Sequence, residues 1–351
     1  MRKIVNYSSI EHQIEKLKKS NLTIQDEERA YSILSCYGYS NLIKSYREPY
    51  AVICTDGIKY RDGVSLEQIF SLYLLDKNLR TAVMAAMLDL EEHIKATSAE
   101  VIAASFGTDI NEYLKFSNYN NKKKRKERFM LQAIIGDLRK ASQSDKDPIL
   151  HCRTKHGNIP PWILFKGVYF STITNFIDKF KEPEQIALTQ LLYRDRISLP
   201  EQSLRMLMMD TLFLCQEYRN LAAHGGRIYN YDSVYKVRLN EIYGDKPLPH
   251  LKGIGLLSFV LGQLAYKYPL EIINNSLSEE LSRHCSTYPE DVTYLGSVLG
   301  MNIIRKNTVY ISEKGKLFHT NPYCSGMTHA REIDKDKAIQ EQYRPCKRCC
   351  N

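Results

Sequence analysis

Residues 78–104 run from end to end without Gly or Pro, and no other stretch limits the fold of this chain as much. Leu79, Val83, Met87, Leu90, Ile94, Val101 and Ile102 recur there at helical spacing, Ala is abundant, and Gly107 follows just past the end. Apolar residues three and four apart line one face of an α-helix, and Ala is the best helix former. The spacing predicts a strong helix from Asn78 to Ala104.

Most of the remaining chain also reads as helix. Ile10–Lys19 is amphipathic, and Asp26–Leu42 places Ala30, Ile33, Leu34 and Tyr37 at helical spacing before Gly38 loosens its end. Tyr50–Cys54, with Asp56-Gly57 and Asp62-Gly63, reads as short extended pieces and turns. A helix starts at Ser65-Leu66-Glu67 and continues to Leu75. Phe129–Ala141, Trp162–Phe180 after the Pro160-Pro161 break, Ser203–His224, Lys252–Tyr268 and Asp291–Ile304 complete the helical set. After Ile304 the character changes. Thr308–Ser312, a Gly315 turn and Lys316–Phe318 read as a β-hairpin. The expected organisation is an all-α domain over 1–304 and a small separate domain over 305–351.

The formal net charge is +9. A basic excess suits a phosphate-rich partner, although solubility alone also accounts for it. Asn118–Arg128 concentrates that charge in Lys122, Lys123, Lys124 and Arg125. The run reads either as a solvated loop or as a phosphate-contacting surface. Met1–Lys19 carries positive charge with no apolar run behind it, so no secretory leader is expected. Ile254–Ala265, the most apolar stretch, is too short to cross a bilayer. Cys36, Cys54, Cys152, Cys215 and Cys285 are scattered, whereas Cys324, Cys346, Cys349 and Cys350 crowd the C-terminal end. That is not the spread of a disulfide framework, so the expected compartment is the cytoplasm, with no membrane partner.

The candidate chemistry lies in Gln216–Asn230, QEYRNLAAHGGRIYN. Gly225-Gly226 makes a natural helix stop just after His224. Asn220 and His224 lie four apart and share a helical face, with Arg219 one residue off it and Arg227 and Asn230 beyond the stop, where they could fold back and are expected to contact RNA. RNA cleavage without a metal needs few parts. The ribose 2′-hydroxyl is the nucleophile, a base takes its proton, an acid protonates the leaving 5′-oxygen, and a cation steadies the phosphorane. Histidine exchanges protons near pH 7, and arginine grips phosphate with a fork of donors. In that reading His224 is the acid or base, Arg219 the phosphate clamp and Asn220 an orienting amide. A histidine at a helix end also interacts well with the helix dipole and needs no chemistry to explain it.

A second constellation closes the chain. His319 with Cys324, and Cys346 with Cys349, give four donors of the type that closes a tetrahedral structural zinc site. Zinc would contribute folding energy that so small a domain lacks. Cys350 and His329 read as bystanders. Asp334–Gln342 reads as a short helix between the ligand pairs. A redox role for Cys346-x-x-Cys349 lacks the surrounding βαβ pattern and leaves His319 and Cys324 unexplained. Lys314, Lys316, Arg344, Lys347 and Arg348 make the segment basic, which suits RNA, another partner, or simply water.

At RNLAAHGGRIYN the chain resembles the abortive-infection (Abi) family of bacterial anti-phage proteins, AbiD/AbiF type, of the HEPN superfamily. The family pattern RN-x-x-AH-x-x-R-x-x-N is met by Arg219, Asn220, Ala223, His224, Arg227 and Asn230. Other segments follow in family order: Leu34 to Tyr46 with Gly38-Tyr39; Asp62-Gly63 through Leu75-Asp76-x-x-Leu79-Arg80; Leu90-Glu91 with Lys95 where Arg is usual; and Pro160-Pro161-Trp162 to Phe170 with Ser171 where Gly is usual. The resemblance implies a mainly α, HEPN-type helical bundle and an endoribonuclease that damages RNA during phage infection. HEPN sites usually form from two facing motifs. One Arg-x4-His per chain therefore implies a homodimer. Alternatives implied by the same relatives are a non-cleaving binder of RNA that carries a small non-coding RNA, or the toxin half of a toxin–antitoxin pair. The segment Gly315–Cys349 resembles small bacterial zinc modules of the pattern GKxYH…C…GYxPCxxC.

Overall fold

The computed structural model describes residues 6–55, 57–121, 130–194, 199–244, 251–301, 303, 308–312, 315–319, 324 and 330–350. One helix, Leu66–Phe106, forms the axis of the molecule. The Ser65 hydroxyl caps its start by accepting from the Gln68 N–H at 3.1 Å, and Gly107, at φ +77°, ends it. The two expected helices at Leu66–Leu75 and Asn78–Ala104 are therefore one. The polar joint at Asp76-Lys77-Asn78 does not interrupt it, because Asp76 is fully buried and satisfied there while Lys77 and Asn78 face outward. Leu72, Leu79, Val83, Met87, Leu90 and Ile94 are all fully buried. A helix buried around most of its circumference belongs in the centre of a core, and among the helices packed on it are Pro161–Leu164, Glu182–Tyr193, Glu201–Ala223 and Tyr268–Thr287.

The Ile10–Lys19 helix stands where its amphipathic pattern places it. Glu27–Tyr37 follows, stops at Gly38 (φ +75°) and gives way to a π-helical turn over Ser40–Lys44. Strands β1 (Ala51–Cys54) and β2 (Gly57–Tyr60) form an antiparallel hairpin with Ala51 opposite Tyr60. Leu131–Ser142 falls within a residue or two of its expected bounds.

Three expected helices need revision. Trp162–Phe180 is broken into Pro161–Leu164, a 3-10 turn at Phe165–Gly167, an extended Val168 and the helix Phe170–Ile177. A Cβ on Gly167 would lie 2.4 Å from Ile149 Cδ1, and the Lys95 ammonium, paired with Glu91 at 2.7 Å, donates to the freed Val168 carbonyl at 2.6 Å. Lys95 thus holds the kink. Lys252–Tyr268 is also two pieces, since Gly253–Gln263 ends at an extended Leu264 and a new helix runs over Tyr268–Thr287. Asp291–Ile304 stops early, at Gly300.

Beyond residue 307, β3 (Thr308–Ser312) pairs with β4 (Leu317–His319), as the Gly315 turn predicts. Strand β5 (Ala330–Asp334) adds to the other edge of β3, and β6 (Arg344–Pro345) pairs parallel to β4, giving the order β5-β3-β4-β6. The helix Lys335–Gln340 packs beside β3 and β5. Val309, Ile311, Phe318, Ile333 and Ala338 make a hydrophobic cluster of their own, separate from the main core.

Candidate functional site

The Arg–His segment ends the Glu201–Ala223 helix. Leu207, Leu212, Leu214, Cys215 and Tyr218 pin the inner face of that helix in the core. Its last turn is consequently a fixed edge: Arg219 and Asn220 are half-buried, and Ala223 and His224 are exposed. His224 is the cap residue. Beyond it the Gly226 N–H donates to the Leu221 carbonyl at 2.9 Å and the Gly225 N–H to Ala222 at 3.2 Å. These paired bonds are a Schellman stop, which satisfies carbonyls the helix leaves over. The two glycines serve different needs. Gly225 adopts φ +70°, and a Cβ on Gly226 would stand 2.2 Å from Leu221 Cδ1.

What aims the chain after the stop is the long axial helix. Asp76 Oδ1 accepts from the backbone N–H groups of Ile228 and Tyr229 at 2.7 and 2.8 Å, and Oδ2 accepts from the Tyr46 hydroxyl at 2.6 Å. Burial raises the Asp76 carboxyl above its usual range, while these three donors and the Arg80 guanidinium pull it back. Arg80, one turn along, donates to the Gly225 and Gly226 carbonyls at 3.2 and 3.3 Å and lies 3.5 Å from Asp76. A carboxylate thus takes the N–H groups just after the turn, and a guanidinium takes the carbonyls within it.

Two further acids on the motif helix steady the following loop. Glu217 accepts from the Tyr231 and Ser233 hydroxyls and from the Val234 and Tyr235 N–H groups. Burial alone would raise its carboxyl, but these four donors outweigh it and hold the group below its usual 4.5. Asp210, fully buried, accepts from Tyr235 Oη at 2.7 Å and is gripped by Arg238 at 2.6 Å.

Within this frame, Arg219 Nη1 donates to Asn220 Oδ1 at 3.4 Å. Arg219 Nε is sealed from solvent with no hydrogen-bond partner among the described residues. Arg227 and Asn230 are turned toward other neighbours. Arg227 donates to the Ser45 carbonyl and approaches Glu48 at 3.9 Å, and Asn230 hydrogen-bonds Tyr294. Among the described residues no hydrogen bond links the His224 ring to Arg219, Asn220, Arg227 or Asn230. The turn therefore offers an exposed imidazole about one helical turn after an arginine–asparagine pair.

The second cluster is at the C-terminal sheet. The ligating atoms of His319, Cys324, Cys346 and Cys349 all lie within 4.8 Å of one another. Cys324 and Cys346 sulfurs are 3.9 Å apart, and Cys349 Sγ is 3.6 Å from His319 Nδ1. Tetrahedral zinc with sulfur at about 2.3 Å asks for donors roughly 3.8 Å apart, so this donor set fits the metal in both chemistry and spacing. The knuckle is set by backbone: Cys346 N–H donates to Phe318 O at 3.0 Å, and Cys350 N–H to Cys346 O at 3.0 Å. Cys350 Sγ turns to the Phe318 carbonyl at 3.4 Å and lies 3.9 Å from Cys349 Sγ. None of the nine cysteines is in a disulfide.

A family model described as Abi-like protein matches residues 32–230. The chain belongs to the Abi-like protein family. The match takes in Asp76, Arg80 and the whole Arg–His segment, and it stops short of the cysteine cluster. Membership supports an abortive-infection role. No curated protein and no solved structure matches the chain. In this Abi-like chain no described helix is long and apolar enough to cross a membrane.

Lys122, Lys123, Lys124 and Arg125, expected to contact RNA, lie outside the described residues, as does His329. Asp76 and Arg80 received no role from sequence reasoning, although an acid and a base four apart inside an apolar helix are a visible signal that something must satisfy them. Glu217, inside the candidate segment itself, was likewise passed over.

Proposed function

We propose that this Abi-like protein is an endoribonuclease that cleaves RNA through its own 2′-hydroxyl, without a catalytic metal. The observation that carries the reading is the exposed His224 imidazole at a capped helix end, one turn after the Arg219–Asn220 pair. The 2′-oxygen attacks phosphorus, forming the 2′-O–P bond as the 5′-O–P bond breaks. The 2′ proton leaves to a base, the 5′-oxygen gains a proton from an acid, and the product ends in a 2′,3′-cyclic phosphate. His224 serves as one of those groups. Arg219 holds the non-bridging oxygens with its guanidinium, and Asn220 keeps that guanidinium in place. One imidazole per chain supplies one proton-transfer group, so a homodimer with two facing motifs supplies both.

Residues 1–304 carry this activity in the proposal, and 305–351 form a module held by structural zinc. When bound, zinc supplies cross-links between β4, residue 324 and the C-terminal knuckle. The cellular setting that fits is the cytoplasm.

The test uses purified full-length protein and single-stranded RNA with a brief EDTA treatment. Cleavage should persist, and the products should carry 2′,3′-cyclic phosphates. A substrate with 2′-deoxyribose at the cut position should stay whole. Cutting of that deoxy substrate would refute the 2′-hydroxyl mechanism, and immediate loss of activity on chelation, with the helical fold intact, would refute metal independence.

A second reading has one observation in its favour: among the described residues no hydrogen bond orients the His224 ring. In that reading the chain binds RNA without cutting it, carrying a small non-coding RNA, or acts as a toxin restrained by an antitoxin. Tight, salt-dependent RNA binding by native protein that leaves every RNA whole would favour it.

A further inference from the structure

The cysteine module holds more than its metal cluster. A groove of about 760 Å³ opens beside it, and Lys335, Ile339, Tyr343, Arg344 and Pro345 line it over a floor of buried Phe318. Its walls differ in chemistry. Ile339, Tyr343 and Pro345 offer an apolar and aromatic surface, with Ile339 53% exposed. Lys335 and Arg344 supply cations, and Lys347 and Arg348 follow on the adjacent exposed turn. Among the described residues no carboxylate lines the groove, and none of these four cations forms a salt bridge.

We propose that this groove binds a single-stranded segment of RNA, with phosphates on Lys335 and Arg344 and a base against Tyr343. Charge complementarity decides the occupant: among its described residues the cleft carries cations and no acid, which suits a polyanion. The aromatic and apolar walls then favour a polyanion that also carries flat apolar faces. Unpaired bases have such faces and stack on aromatic side chains with little regard to sequence. A cleft of this volume accepts a ligand of drug size, on the order of one or two nucleotides, which suits an unpaired strand. The proposal rests on the reading that RNA is the partner of this chain. It gives that RNA a second foothold outside the Arg–His segment, so the module would tether the substrate.

The experiment reads binding apart from cleavage. The probe is a fluorescein-labelled oligouridine with every 2′-hydroxyl methylated, which removes the nucleophile, and the readout is anisotropy with the full-length protein. Lys335→Glu with Arg344→Glu should weaken binding by about tenfold or more and flatten the salt dependence of log K by about 1.4, for two lost phosphate contacts. Both side chains are exposed, and retained zinc content would show that the module stays folded. A control of equal charge change, Lys16→Glu with Lys19→Glu on the first helix, should cost less than about twofold. Equal losses from the two pairs, or none from the groove pair, would overturn the proposal. An acidic peptide such as polyglutamate that displaces the probe as well as unlabelled oligouridine of equal charge would also overturn it. Because the probe cannot be cut, these outcomes stand apart from the outcome of any cleavage assay.

Discussion

The two candidate sites are held in opposite ways. The Arg–His turn sits at the rim of a large core and is positioned by buried carboxylates. Asp76 reaches it from the axial helix, Glu217 and Asp210 hold the loop that follows, and every acceptor meets a backbone N–H, a hydroxyl or a guanidinium. Among the described residues the C-terminal module has a hydrophobic cluster of five buried side chains, and its donors converge on one point. In the first region the fold comes first and places the side chains. In the second, on the proposed zinc reading, the side chains would secure the fold through a metal. Removing the metal should therefore separate the regions, and removing a carboxylate should do the reverse.

The largest effect is expected in the module. Structural zinc binds with about 10–16 kcal/mol of apparent free energy, comparable to everything that five buried side chains supply at about 1.5–3 kcal/mol each. Prolonged chelation, or Cys346→Ser, should expose residues 308–350 to protease while the helical circular dichroism stays nearly unchanged. A module that stays resistant without metal would remove the contrast.

Next comes Asp76→Ala. It strands the N–H groups of Ile228 and Tyr229 and the Tyr46 hydroxyl in the core, at a cost of about 3–5 kcal/mol. Thermal unfolding of the helical body should drop accordingly, with zinc content unaffected. A change of less than about 1 kcal/mol would mean that the post-glycine segment is positioned by something else.

Acid should also act on the helical body. Burial would raise the Asp291 carboxyl, but the His284 ring, the Tyr50 hydroxyl and the Gln68 amide outweigh it and hold the group below its usual 3.8. Glu217 is held below its usual 4.5 by its own donors. Carboxyls depressed in the folded state contribute stability that is present above their unfolded values and lost as pH falls through the folded ones. Asp76, whose carboxyl is raised, acts in the opposite sense. The melting temperature should hold down to about pH 5 and fall below it. Glu217→Gln should shrink that fall, and an unchanged acid profile in that variant would sink the assignment.

The smallest effect is expected at the turn. Gly225→Ala places a Cβ at φ +70°, which costs roughly 1 kcal/mol, and it should lower activity more than stability because it shifts His224. A shift in melting temperature with activity untouched would show that the turn does not position the site.

Several parts of this architecture were legible in the residues. The Gly225-Gly226 stop, the 201–223 helix, the β3–β4 hairpin and the four convergent metal donors follow from local rules of spacing and turn chemistry. What stayed hidden depended on tertiary partners. Tyr268–Thr287 reads as polar because Asn274, Asn275, Glu280 and His284 interrupt it, yet Glu280 and His284 are buried. Glu280 accepts from Asn78 at 2.7 Å, and His284 meets Ser71 and Asp291 at 2.9 and 3.0 Å. The break at Gly167 is set by Ile149 and Lys95, residues far away in the chain. The site itself was half visible. Arg219 and His224 announce themselves by type and order, whereas the Asp76–Arg80 grip on their turn is a contact between distant segments that no local pattern contains.

The account turns on His224. Wild-type protein and His224→Ala should be compared on the same single-stranded RNA at equal concentration, with matched melting temperatures as the check on folding. Loss of a proton-transfer group predicts a fall in the cleavage rate of about 10²–10⁴. Cleavage by His224→Ala at the wild-type rate would contradict the account.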